Sequence, residues 1–140
     1  MRVLFDTNVV LDVLLAREPH APVAAHLMAL ADSGRIEGVV SATTVTTIHY
    51  IATKAVGRKR AGEHIRDLLG IFAVAGVDRK VLADALELKF DDYEDAVLHE
   101  AGQATSVAAI VTRNGRDFAK ATLPVVDPEE LLAAIIATGD

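Results

Sequence analysis

Short apolar runs and longer amphipathic ones alternate along the chain, and the alternation predicts most of the secondary structure. RVLF (2–5) is a continuous apolar run of strand length. Over residues 7–16 the apolar positions Val9, Val10, Val13 and Leu14 recur at helical spacing. Pro19 and Pro22 interrupt the chain before a second helix over 24–31, which Ser33-Gly34 closes. EGVV (37–40) predicts a second strand, and Ser41 can cap a helix that runs toward Val56 and stops at Gly57. A helix over 60–69, a strand over 71–74 and a helix capped by Asp78 and running through Leu88 come next. Asp91 or Asp92 caps another helix reaching Gln103, AAIV (108–111) is a fourth strand, and PVV (124–126) is a fifth. Asp127-Pro128-Glu129-Glu130 then joins a cap, a proline at the first helical position and an acidic first turn, a strong start for the last helix.

Strands that alternate with helices imply the α/β class: three layers, α/β/α, around a short and mostly parallel sheet. The chain has no internal repeat, no low-complexity tract and no Gly/Ser linker, so residues 1–140 are expected to form one domain. Apolar residues make up 51% and aromatics only 4%, so the core must be built from Ala, Val, Leu and Ile. The absence of cysteine excludes disulfides, thiolate metal sites and thiol nucleophiles, and points to a reducing, cytoplasmic setting. Asp6 and Asp12 interrupt the first apolar stretch, which fits neither a signal peptide nor a membrane span. A net charge of −6 argues against a surface that grips nucleic acid everywhere, while leaving room for local basic clusters such as Arg113, Arg116 and Lys120.

Three aspartates carry the chemistry. In parallel α/β sheets, ligands gather outside the carboxyl ends of the strands. Asp6 directly follows the first strand, Asp117 lies a few residues beyond the fourth, and Asp95 sits in the first turns of the helix before the fourth. Asp92, Asp95 and His99 share one arc of that helix. Acids in a first turn also favour the helix dipole, so Asp92 has an ordinary explanation. Two unit charges about 4 Å apart cost roughly 4 kcal/mol at an effective dielectric near 20, a cost that a cation or a shared proton offsets. Oxygen ligands without cysteine suit a hard ion, Mg²⁺ or Mn²⁺, and such an ion supports phosphodiester hydrolysis. The stretch after the fourth strand, VTRNGRDF, adds Thr112 and Asn114 beside Asp117, with Arg113 and Arg116 as groups that could meet a phosphate.

FDTNVVLD at the start, DYEDAVLHEAG in the late helix and VTRNGRDF after the fourth strand together resemble the PIN domain, a small metal-dependent nuclease fold that includes VapC-type toxins. The resemblance runs over essentially the whole chain. It implies Asp6, Asp95 and Asp117 as catalytic, metal-binding carboxylates, single-stranded RNA as substrate, and Thr7, Asn8, Thr112 and Asn114 as groups that orient the ligands or the metal waters. It also implies a homodimer and, where the chain is the toxin of a pair, a separate antitoxin protein whose tail occupies the acidic pocket. A mean hydropathy of +0.32 with few aromatics agrees with an exposed apolar surface for pairing.

One departure from that pattern stands out. The family usually places a glutamate on the helix after the second strand, and in SATTVTTIHYIATK that position is Thr47, on one stripe with Thr43 and Tyr50. The site would then bind metal more weakly, recruit Asp92 or Glu94, or have lost catalysis, leaving a PIN-like module that binds RNA or protein. Asp12 is a poorer substitute, since it can equally be a solvated helix residue. A third reading makes Asp6 a phosphate acceptor, but FDTN lacks the second acid two residues on that dehalogenase-like chemistry uses. His20, His26, His49 and His64 are scattered, and His99 alone, next to the acidic face, suggests a role. Ser41 lacks the turn of a nucleophile, and the glycines form no phosphate-binding loop.

Overall fold

Strands β1 (Arg2–Phe5), β2 (Glu37–Ser41), β3 (Ala73–Ala75), β4 (Ala109–Val111) and β5 (Val125–Val126) form one sheet in the order β3-β2-β1-β4-β5. Every neighbouring pair is parallel, so the sheet is wholly rather than mostly so. The structure is a computed structural model that describes residues 1–138; Gly139 and Asp140, the end of the expected single domain, lie outside the described residues. Helices α1 (Thr7–Leu14), α2 (Ala21–Asp32), α3 (Ala42–Val56), α4 (Arg58–Ile71), α5 (Arg79–Leu86), α6 (Tyr93–Ala104) and α7 (Pro128–Ala137) connect and follow the strands, with a 3₁₀ turn over Gly115–Phe118. No described helix is long and apolar enough to cross a membrane.

Successive strand residues face opposite sides of a sheet, and the two cores divide accordingly. Val3, Phe5, Val40 and Val111 pack with α1, α2, α4 and α7 on one face. Leu4, Val39 and Ile110 pack with Val81 and Ala85 of α5, Ala96, Val97 and Leu98 of α6, and Phe118 on the other. Both faces being buried explains why the strands read as unbroken apolar runs rather than alternating ones.

The expected caps form: Ser41 accepts from the Thr43 amide at 3.3 Å, Asp78 from Val81 at 3.0 Å, and Asp127 and Glu130 make a reciprocal box at the start of α7. Asp92 rather than Asp91 caps α6, accepting from the Glu94 amide at 2.9 Å. Boundaries differ where the pattern is ambiguous. Helix α1 stops at Leu14, short of residue 16, because Ala16 takes a φ of 50° and Arg17 turns its amide back to the Asp12 carbonyl. Helix α2 starts at Ala21, since Pro22 falls in the first turn, where its missing N–H is not needed. Helix α4 runs on to Ile71, which displaces β3 to Ala73–Ala75 from the expected 71–74. Leu68 and Phe72, four apart and both buried, hold the end of α4 to the core.

Gly38 in β2 is required by packing. A Cβ there would lie 2.7 and 2.8 Å from ring carbons of Phe72 and 3.0 Å from the Ala31 Cβ. Phe72 is buried and meets Phe5 edge to face at 4.9 Å, so its ring has little room to retreat. Gly38→Ala is expected to destabilise the fold by about 1–3 kcal/mol through overpacking. A lower urea midpoint with an unchanged slope would show it, and an unchanged midpoint would refute it.

Candidate active site

From β1 the chain passes to β2 and β3 on one side, while β4 and β5 lie on the other, so the direction of winding reverses between β1 and β4. Such a switch point opens a crevice at the carboxyl ends of the strands. Phe5 pairs with Val111 there, and the next residues out of the sheet are Asp6 and Thr112. Thr112 Oγ1 donates to Asp6 Oδ2 at 2.7 Å in a buried hydrogen bond, while the Asp6 amide donates to the Val111 carbonyl at 3.0 Å. Asp6 occupies the N-cap position of α1 yet makes no side-chain cap bond. Its carboxylate is committed to the crevice.

Burial pushes the Asp6 carboxyl above its ordinary value; the Thr112 hydroxyl and the Thr7 amide pull it back, Asp117 pushes it up and Arg113 draws it down. Asp95 is pushed up to about 7, first by burial, then by the charges of Asp6, Asp92, Asp117 and Glu94. Glu94 is raised as well, by burial and then by Asp92 and Asp6. Asp6, Asp95 and Asp117 thus share one electrostatic neighbourhood although they come from three distant segments. Asp117 is exposed, in a 3₁₀ turn anchored by buried Phe118 and by its own amide bond to the Asn114 carbonyl at 2.9 Å. Asp92 is exposed, and one of its oxygens serves the α6 cap.

Several other expected residues have partners that the sequence did not mark. Arg113 turns its Nε and Nη2 edge to Asp12, at 2.7 and 3.1 Å, instead of standing free for a phosphate. Asp12, for which a solvated position was one of the alternatives, is 1% exposed and also lies 3.8 Å from Arg17. Its place between Leu11 and Val13 in an apolar run was the available signal. His99 is buried away from the acidic face: its Nε2 accepts from the Thr122 and Leu123 amides, and its ring lies against Phe90. Burial lowers its pKa. On α3 the inward threonine is Thr44, fully buried and hydrogen-bonded to Thr7 at 2.9 Å, which the sequence pattern did not single out. Of the stripe of Thr43, Thr47 and Tyr50, Tyr50 is 62% exposed with Lys54 over its ring. Thr47, one turn beyond Thr44, is half-buried, as are Asn8 and Asn114 at the crevice end of the sheet.

In kind, the donors fit a hard divalent cation, since they are carboxylates and hydroxyls, and burial together with the neighbouring carboxylates raises Asp95. In the observed side-chain conformations, no three acidic or histidine residues among the described residues form a ready ligand group.

The sequence profile of the PIN domain family matches residues 2–116 and so ends one residue before Asp117. No curated protein sequence matches the chain. Among solved structures, a toxin–antitoxin complex from Klebsiella pneumoniae is similar at 25% identity and a TM-score of 0.67, over 90% of this chain and 97% of that one. VapBC2 from Rickettsia felis, bound to a DNA fragment from its promoter, gives 15% identity and 0.71, over 91% and 98%. VapC20 from Mycobacterium tuberculosis, a toxin that cleaves the sarcin–ricin loop, gives 15% and 0.64, over 77% and 86%. With the profile covering most of its length, the chain belongs to the PIN domain family.

Proposed function

We propose that this chain is a divalent-metal-dependent endoribonuclease that hydrolyses phosphodiester bonds of single-stranded RNA and serves as the toxin of a toxin–antitoxin pair. The observation that carries this reading is the Asp95 carboxyl, pushed up to about 7 by its burial and then by the charges of Asp6, Asp92, Asp117 and Glu94. The toxin role is supported by the similarity to toxin–antitoxin complexes, and RNA as substrate by the similarity to a toxin that cleaves the sarcin–ricin loop.

A bound Mg²⁺ or Mn²⁺ supplies an activated water and positive charge beside the phosphoryl oxygens. Asp6, Asp95 and Asp117 would hold that ion, with Asp92 and Glu94 adding negative potential. Thr112 fixes the plane of the Asp6 carboxylate through its 2.7 Å bond, and Thr7 is held beside it by Thr44. Arg116, exposed next to Asp117, meets a substrate phosphate. A second reading, a weakened or inactive module that binds RNA or protein, is favoured by one observation: Thr47 stands where the resemblance expects a glutamate.

Labelled single-stranded RNA incubated with Mg²⁺, Mn²⁺ or EDTA tests the lead reading. Cleavage should require the metal and fall about 100-fold or more in Asp6→Asn, since even partners behind the ligands are commonly worth 10–100-fold. Calorimetric titration with Mn²⁺ separates the two readings: binding heat that vanishes in Asp95→Asn favours the enzyme, and no heat in the wild type favours the inactive module.

Acidic crowding predicts a cost to stability. The carboxyl of Asp95 titrates near 7 in the fold against an ordinary 3.8, so between these values the native state keeps a proton that the unfolded chain has released. The stability linked to this group is complete below 3.8 and is lost as pH rises through about 7. Asp95→Asn, which cannot ionise, should therefore melt a few degrees higher than wild type at pH 8 in EDTA and show little gain at pH 4. Equal gains at both pH values would contradict the linkage.

The proposal extends to a homodimer. Leu82, Leu86 and Tyr93 are 40%, 69% and 45% exposed and line one open hollow with Val77. Light scattering at micromolar concentration should report a dimer that Leu86→Glu converts to a monomer; a wild-type monomer would end this part of the proposal.

A further inference from the structure

The ion pair between Asp12 and Arg113 joins two segments 101 residues apart. Asp12 is on α1, six residues beyond Asp6. Arg113 lies in the loop between β4 and the 3₁₀ turn, between Thr112, which holds Asp6, and Asn114, whose carbonyl receives the Asp117 amide. Thr112 Oγ1 also accepts from the Asn114 amide at 3.0 Å, so the hydroxyl that orients Asp6 depends on the path of this same loop. The pairing is a fork of two hydrogen bonds onto a carboxylate that is 1% exposed, whereas the Arg113 side chain is 26% exposed.

We infer that Asp12 and Arg113 are a positioning pair for the acidic pocket: Asp12 holds the guanidinium away from the pocket carboxylates and, through it, fixes the loop that presents Thr112, Asn114 and Asp117. Two physical requirements meet in this arrangement. A loop ending in an exposed 3₁₀ turn has few contacts of its own, and a bidentate guanidinium fixes direction as well as distance. Arg113 also feels the field of Asp6. Released from Asp12, a permanently charged side chain beside those carboxylates would swing toward them and compete with any divalent cation for the same oxygens. Replacing a buried ion pair by apolar residues is often neutral for stability, so the pair is better explained by what it positions than by what it stabilises. The catalytic consequence rests on the nuclease reading above; the loop geometry does not.

The test compares Asp12→Asn, Arg113→Lys, Arg113→Gln and the double variant Asp12→Asn/Arg113→Gln in the full chain. Mn²⁺ affinity, amide hydrogen exchange at Asn114 and Asp117, the salt dependence of RNA binding and urea melts are measured on each. Each single variant is expected to weaken Mn²⁺ binding about 10- to 100-fold, the usual effect of losing a partner that orients ligands. Exchange at Asn114 should rise, and the double variant should be no worse than either single one, as for two residues acting as a unit. Arg113→Lys keeps the charge and loses the fork, so it should fall between wild type and Arg113→Gln; being partly exposed, it carries the test should Asp12→Asn fail to fold. Earlier unfolding with unchanged Mn²⁺ affinity and unchanged Asn114 exchange would overturn the inference. So would a salt slope reduced by about 1 in Arg113→Gln and not in Asp12→Asn, the signature of a direct phosphate contact. A wild type that neither binds Mn²⁺ nor cuts RNA would defeat the nuclease reading alone, because hydrogen exchange still decides whether the pair holds the loop.

Discussion

The buried hydrogen bond from Thr112 to Asp6 ties together the carboxyl ends of the two central strands, and the rest of the site is arranged around it. It exists because Phe5 and Val111 are partners in the register of β1 and β4, which brings the next residue of each strand face to face. It also exists because Asp6 leaves the cap of α1 unmade, so the carboxylate is available to the crevice. Sheet register, and not local turn chemistry, therefore decides where the first acid points. The segments carrying Asp95 and Asp117 then bring their charges to a carboxylate whose position is already set.

Bringing those charges together opposes folding. Asp95, Asp92 and Glu94 lie in or next to the first turn of α6, where the helix dipole recovers part of the repulsion, typically a few tenths to about 1 kcal/mol per acid. The dipole acts against the burial and the neighbouring charges that together push the Asp95 carboxyl up to about 7. The fold keeps the acids in place by anchoring their neighbours in the apolar cores: Phe5 and Val9 flank the first, Ala96 and Val97 follow the second, and Phe118 follows the third.

Much of this was legible in the sequence, for identifiable reasons. The strands could be recognised because both sheet faces are buried, which leaves VLF, VV and AIV as unbroken apolar runs. The helix starts at Ser41, Asp78, Asp92 and Asp127 could be recognised because caps are local chemistry. The boundary between α4 and β3 could not, because LLGIFAV is apolar throughout and tertiary contacts at Leu68 and Phe72 chose the break. Topology together with the family resemblance led to the expectation that Asp6, Asp95 and Asp117 act together, and their charges do reach one another. What the sequence concealed were partnerships across long separations. Asp12 with Arg113, Thr7 with Thr44, and His99 with the backbone of Thr122 and Leu123 are all contacts whose two halves carry no mutual mark in the chain.

Those hidden contacts bear on the missing glutamate. Helix α3 meets the start of α1 through two hydroxyls, Thr44 and Thr7, in a fully buried pair that carries no charge. On the proposed reading, a carboxylate at position 47, one turn along, would add another anion near groups already above their ordinary values, Asp6, Glu94 and Asp95. With threonine there, the acidic charge comes from the β1, α6 and β4 side of the crevice, and α3 contributes neutral oxygen. On the proposed nuclease reading, threonine at position 47 would shift the site in two opposite directions at once: fewer anionic ligands for a cation, and less repulsion to be overcome when the cation is absent.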